Sequence, residues 1–474
     1  MHLLLLLATI AALIPAPQAP ALVPAAQGDL SQPGRWDRYT IDATLDPDAG
    51  TLGGTLTLEY TNRDSAPHPQ IYFHLYPNLR PFAGKLTVDS AIVDGAPARS
   101  SAEGRGYLLR VDLPQPLAPG QSATIGLRFA TRAPQSVGGK VYAAFNREKD
   151  VLALASAYPL LPIVRAGVWD TAPPDDLGDF VVSETALYDL TLRAPTGWTL
   201  LASGVPVERS VAGAMQTLRF VSGPVRELTV VATRLPSVEQ VVDGTLVRLH
   251  HPFGQAAAAR LALRTAVDAV RIFNRRFGQL PYADIDIVAI DARTFYGVEY
   301  PGLIMLDRGL FARSGQLESV TAHEVAHQWF FGVVGGDQQR EPWIDEGFAS
   351  YAQVIYREET GGAVAAEREL DQFRAVYRAA RAARRDGIVD RPASALHGRY
   401  TLLAYAKPAL FLHALRQKIG EAAFDAAIHD FYASNRYALV SGGDLLASAE
   451  RGCDCQLDSF YRDWIETAAP VAIP

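Results

Sequence analysis

Two histidines four residues apart, His323 and His327, are the first place in this sequence where side chains recur at a spacing that chemistry can use. On a helix of 3.6 residues per turn both imidazoles leave the same face and can meet one ion. Glu324 lies roughly 100° around the helix from His323, so it cannot share their direction but can reach a water held by that ion, the position of a general base. Catalytic zinc usually takes three protein ligands and leaves its fourth position to water. Glu346, between Asp345 and Gly347, is the natural third ligand. Two imidazoles and a carboxylate suit one zinc ion, although cobalt or manganese could substitute in vitro. Asp345, next to that ligand, stands where it could orient a histidine.

Two helices must position these groups. Residues 318 to 331 read as the first, with Leu317, Val320, Val325, Trp329 and Phe330 around the histidines and Gly335-Gly336 as the break. A second run, from near Trp343 through Tyr356, would carry Glu346 back across the first as an antiparallel hairpin. Upstream, residues 255 to 277 read as a long helix ending at Gly278, and residues 285 to 290 as a continuous apolar strand. From Trp36 to about Leu235 the period is two: Ile41, Ala43 and Leu45, Leu56, Leu58 and Tyr60, or Tyr188, Leu190 and Leu192 alternate with more polar neighbours. The predicted fold class is therefore α+β and multidomain. Residues 1–26 are a signal and Ala/Pro-rich linker, 27–236 an antiparallel β-rich domain, and 237–474 the domain carrying the metal motif, with the boundary near Pro236. His68 and His74 have no partner at ligand spacing and are read as structural. The stretch from Trp169 to Phe180 reads as a surface loop without chemistry, and the arginines between Arg374 and Arg385 as a solvated helix face.

The composition excludes several functions. A net charge of -7 over 474 residues, with no long basic block, argues against nucleic acid as a partner. The apolar run from Leu3 to Ile14 is too short to span a bilayer comfortably, so no stable membrane span is expected. It suits the core of a secretory signal, with Ala19-Pro-Ala21 as a cleavage site, and the protein is expected to be secreted or periplasmic. Because no Lys or Arg precedes the run, a non-cleaved anchor or a misplaced start codon stays open. Cys453 and Cys455 have one residue between them, a spacing that strains a disulfide, so free thiols or one non-structural bridge is expected.

The string His323-Glu-Val-Ala-His327-Gln-Trp-Phe, followed after eighteen residues by Glu346, resembles the gluzincin aminopeptidases, the family of aminopeptidase N and leukotriene-A hydrolase. Phe295-Tyr-Gly-Val-Glu-Tyr-Pro-Gly302 is similar to that family's Gly-x-Met-Glu-Asn motif, with Val298 and Tyr300 where the family has Met and Asn. The resemblance implies that Gly297 and Val298 align the peptide backbone along an edge strand and that Glu299 holds the substrate's free ammonium. Tyr405-Ala-Lys-Pro resembles the family's Tyr-x-Lys-Gly segment, which implies that the Tyr405 phenol bonds the developing oxyanion. It also implies an N-terminal β-sheet domain followed by a thermolysin-like catalytic domain, and the family's large C-terminal helical domain is expected to be absent. A second acidic or amide anchor for the amine, often present in the family, would correspond to Ala155-Ser-Ala-Tyr-Pro159, which offers none.

The expected function is that of a zinc-dependent aminopeptidase acting on peptides, with Glu324 and Tyr405 as catalytic groups. Two alternatives stay open: a metallo-endopeptidase or epoxide hydrolase on the same site, and a non-catalytic scaffold of the same fold. Intact His323, Glu324, His327, Glu346 and Tyr405 argue against the scaffold. Nothing in the sequence fixes a side-chain preference or an oligomeric state.

Overall fold

The structure, a computed structural model, describes residues 17–32, 34–135 and 141–473. The apolar run Leu3 to Ile14 lies outside them. No described helix is long and apolar enough to cross a membrane.

The period-two runs form sheets. In the strand Asp37–Asp46 buried and exposed residues alternate at every position. Ile41 lies between Leu56 on one neighbour and Leu190 on the other, so the apolar halves of three strands share one face. The sheet has eight strands, and one adjacent pair inside it, Asp37–Asp46 with Ala186–Pro195, runs parallel. This departs from the expected antiparallel pattern. The long chain between the two strands supplies the crossover that parallel pairing requires. A second sheet of four strands includes Val151–Ala155 and Thr229–Thr233, both buried at every position.

Pro236 falls between Thr229–Thr233 and Ser237–Val242, the first strand of a five-stranded mixed sheet. At its centre lies Asp284–Ile290, wholly buried and flanked in parallel by Thr245–His250 and Leu303–Asp307. Strand Gly297–Tyr300 closes the sheet, antiparallel to Leu303–Asp307, and its outer edge has no strand partner among the described residues. Helix α1, Ala256–Arg276, buries an alanine-rich face that includes Ala259, Ala262, Ala266 and Val270.

Helix α2 spans Ser314–Ala326, several residues N-terminal to expectation. The chain leaves the helix at His327 because the next side chains are held elsewhere. The Gln328 carboxamide accepts from Gly302 N (2.8 Å) and donates to Tyr300 O (3.2 Å), while the Trp329 indole donates to Gly278 O (2.7 Å). Helix α3, Pro342–Ala382, outlasts the expected Tyr356 and kinks at Gly362, whose φ is 72°. It runs antiparallel to α2: Asp345 meets His327, Gln353 meets His323, and Arg357 meets Glu318. A π-helical turn, Thr401–Ala406, leads into α4, Lys407–Ile419.

Residues 19–26, expected to be a linker, are packed instead. Leu22 and Val23 are buried, Val23 N donates to Pro281 O (2.8 Å), and Ala283 N donates to Ala21 O (3.0 Å). Two apolar side chains with a groove to fill outweigh the local Ala/Pro character. Arg226 ties the β-rich part to the rest of the chain. Its buried guanidinium donates to the carbonyls of Ser183 (3.2 Å), Phe331 (2.8 Å) and Ala438 (2.5 Å). Gly335 lies against it, where a Cβ would come within 2.0 Å of the guanidinium. Cys453 and Cys455 are bonded to each other, so of the two expected states, free thiols or one bridge, the structure has the bridge.

Candidate metal centre

His323 leaves α2, His327 caps it, and Glu346 comes from the first turns of α3. Their ligand atoms lie within 4.8 Å of one another. The two Nε2 atoms are 3.1 Å apart, and Glu346 Oε2 is 3.1 Å from one and 3.5 Å from the other. The opposite nitrogens are also engaged: His323 Nδ1 with Gln353 Oε1 (2.8 Å) and His327 Nδ1 with Asp345 Oδ1 (2.5 Å). Acceptors at both Nδ1 positions hold the proton there and leave the Nε2 lone pairs to converge. This donor set fits one zinc ion. A second cluster, Glu299, Glu324 and His327, also lies within 4.8 Å, but it offers only one imidazole. Asp345 occupies the orienting position that the sequence suggested.

Burial acts upward on the Glu346 carboxyl, but the two imidazoles beside it outweigh burial and bring it down to about 2. Burial pushes the Glu324 carboxyl up to about 7 against the pull of both histidines. Glu324 Oε2 is buried without a hydrogen-bond partner, and its side chain faces Gly297 of the edge strand. A Cβ on Gly297 would stand 2.3 Å from Glu324 Oε1, so this approach depends on glycine. Tyr405, in the π-helical turn, donates its hydroxyl to Glu346 Oε1 and lays its ring over His323, 5.9 Å between centroids at 17°.

All eight residues singled out in the sequence border one cavity of about 440 Å³: Gly297, Val298, Glu299, His323, Glu324, His327, Glu346 and Tyr405. Glu299 accepts from Gln338 Nε2 (3.1 Å), and the same amide nitrogen donates to Asp345 Oδ2 (2.5 Å). One glutamine thus links the carboxylate at the edge strand to the one that orients His327.

Sequence reasoning missed Gln338, Gln353, Tyr400 and Asp179. The Tyr400 hydroxyl is buried and unpartnered beside the same cavity. Asp179 and Phe180 belong to the stretch read as a surface loop without chemistry, yet both border the cavity. That reading is corrected: the loop folds inward because Gln339, between α2 and α3, accepts from Asp175 N (2.7 Å) and donates to Asp179 O (2.6 Å). At the position considered for a second anchor, Ser156 donates to the buried Glu227 carboxylate (2.8 Å) and offers neither acid nor amide.

An i, i+4 histidine pair completed by a glutamate from the following helix, beside an open sheet edge, is the arrangement of a zinc metallopeptidase. Residues 261–464 match the Peptidase family M1 domain. The fold is shared with the M1 zinc metallopeptidase from Deinococcus radiodurans, with a TM-score of 0.71 at 22% identity over 93% of this chain and 96% of that one. A mutant of that enzyme has been solved bound to a Tyr-Ser-Ala substrate, and it matches with a TM-score of 0.70. Among curated proteins, Aminopeptidase M1-A from Oryza sativa subsp. japonica is 28% identical over 184 residues, which are 36% of this chain and 21% of that protein. Aminopeptidase N from Acetobacter pasteurianus is 29% identical over 182 residues, 35% of this chain and 51% of that protein. The chain thus spans about a fifth of the rice relative and about half of the Acetobacter one.

Proposed function

We propose that this protein is a zinc-dependent aminopeptidase that removes N-terminal residues from peptides. The observation that carries the reading is Glu299, a buried carboxylate on the open edge strand, in the same cavity as the His323, His327 and Glu346 triad. A buried carboxylate at the end of a peptide-binding edge suits a chain that arrives with an ammonium.

Zinc held by His323, His327 and Glu346 supplies Lewis acidity toward the scissile carbonyl and toward water. Glu324 takes the proton of the attacking water and returns it to the departing amine nitrogen. Its unpartnered Oε2 is free to do so. Tyr405 turns its hydroxyl from Glu346 to the oxygen that gains charge. Gly297 and Val298 pair their backbone groups with the substrate main chain, which extends the sheet by one strand. In this reading the β-rich part precedes a thermolysin-like catalytic unit. Export is a further part of it, on the strength of the apolar run Leu3 to Ile14, and N-terminal sequencing of exported protein checks it.

The test compares an aminoacyl anilide with its N-acetylated form on zinc-loaded protein. The free amine should be hydrolysed with much the higher kcat/KM, and chelation should abolish turnover. Equal efficiencies for the two substrates would overturn the aminopeptidase reading in favour of an endopeptidase.

A further inference from the structure

A second cavity, of about 810 Å³, shares Gly297, His323, Glu324 and Tyr405 with the first, so the two spaces meet at the metal centre. Their charges differ. Away from the metal, the charged groups that border the first cavity are Asp176, Asp179 and Glu299, with no Lys or Arg among the described residues. Those that border only the second are Arg293, Arg313 and Asp307. The combined space is therefore acidic at one end and carries two arginines at the other.

Both arginines are held in place with donors to spare. Arg293 Nε donates to Asp291 Oδ1 (2.7 Å), and Arg313 Nε donates to Gly309 O (3.2 Å). The buried Asp307 accepts from Arg293 N (3.4 Å) and from Arg313 Nη2 (3.4 Å). A guanidinium has several N–H donors, and most of those on each arginine have no partner among the described residues. Arg313 also lies over the exposed Tyr296 ring, 5.6 Å from its centroid. Arg293 has φ 56°, a left-handed conformation that a residue other than glycine adopts at a cost, and Asp307 steadies it there.

The edge strand sets a direction for the substrate. A peptide with its ammonium at Glu299 and its first peptide bond at the metal sends its second residue past Gly297 into the second cavity. We propose that Arg293 and Arg313 receive a carboxylate carried by the part of the peptide beyond the cleaved bond, so that peptides with an acidic leaving part are favoured. That carboxylate is the side chain of an Asp or Glu in second position or the α-carboxylate of a short peptide. The inference rests on the aminopeptidase reading and adds a substrate class to it. Guanidinium forks match carboxylates in shape and charge. The two side chains are 54% and 47% exposed, so their effect is on affinity, is modest, and is screened by salt.

The experiment measures kcat and KM for alanine release by zinc-loaded parent, Arg293→Gln, Arg313→Gln and the protein carrying both changes. Ala-Glu α-amide against Ala-Gln α-amide reports a side-chain carboxylate, and Ala-Gln-Gly against its C-terminal amide reports an α-carboxylate. In at least one pair the acid should have the higher kcat/KM, by about 3- to 10-fold at low salt and mainly through KM. That advantage should shrink in each single variant, vanish in the double one, and shrink for the parent in about 0.5 M NaCl. Arg313→Lys keeps the charge and should retain part of it. Arg271→Gln, on α1 and bordering neither cavity, should keep the parental ratio, and zinc content and Tm should hold throughout. A parent that releases alanine with no acid advantage in either pair, or an advantage that the double variant keeps, overturns the role of the arginines and leaves the aminopeptidase reading standing. A parent that releases no alanine from any of the four peptides overturns both.

Discussion

An imidazole that serves a metal is steadied by a partner at its second nitrogen, and here Gln353 and Asp345 take that place for His323 and His327. Metal affinity and turnover should therefore separate cleanly on mutation. Glu324→Gln should keep zinc, measured by atomic absorption, while kcat falls by about a hundred-fold or more, the usual scale for lost proton transfer. Glu346→Ala should lose the zinc itself. Tyr405→Phe should lower kcat by about a hundred-fold with KM little changed, as expected for losing one oxyanion donor. An unaltered kcat in a folded, zinc-loaded variant would make Tyr405 a packing residue. At this scale the convergence of His323, His327 and Glu346 was legible because helical spacing alone brings the histidines to one face. Asp179, Gln338 and Gln353 were not. A single polar residue in a loop or on a helix carries no period, and its partner is decided by contacts far away in the chain.

The edge strand Gly297–Tyr300 matters as an element because it brings backbone, rather than side chain, against the Glu324 carboxylate. Gly297→Ala should fold and bind zinc normally, since the clash involves only one side chain. Its Cβ would meet Glu324 atoms at 2.3 to 2.6 Å, so the base must move and kcat should fall by about ten-fold or more. A variant with parental kcat would show that Glu324 has room to spare. The strand Asp284–Ile290 was legible as an unbroken apolar run, as parallel strands buried on both faces are. The end of α2 was not, because Trp329 and Phe330 continue the helical apolar pattern past the point where Gln328 and Trp329 are pulled away. Nor was the parallel pair in the eight-stranded sheet, since alternation fixes which face a strand buries and not its direction.

On the scale of the whole molecule, buried acids set a pH dependence of stability. Burial raises the Glu227 carboxyl from 4.5 to about 7, with Ser156 opposing. The folded state therefore holds this proton more tightly than the unfolded chain does. Its contribution to stability is fully present below about pH 4.5 and is lost as pH rises through about 7. Glu227→Gln can still accept from Ser156 but has no proton to lose. It should match the parent at pH 4.5 and exceed it at pH 8 by up to about 3 kcal/mol in urea unfolding. A difference that is the same at both pH values would remove Glu227 from this account. Arg226 has a consequence in time. It is translated well before the metal-binding residues, and its carbonyl partners are Ser183, Phe331 and Ala438. While the nascent chain is shorter than Ala438, that guanidinium lacks one of its acceptors and the segment around Phe331 lacks its full support. The support around Phe331, a few residues past His327, is therefore complete only once the chain through Ala438 is present.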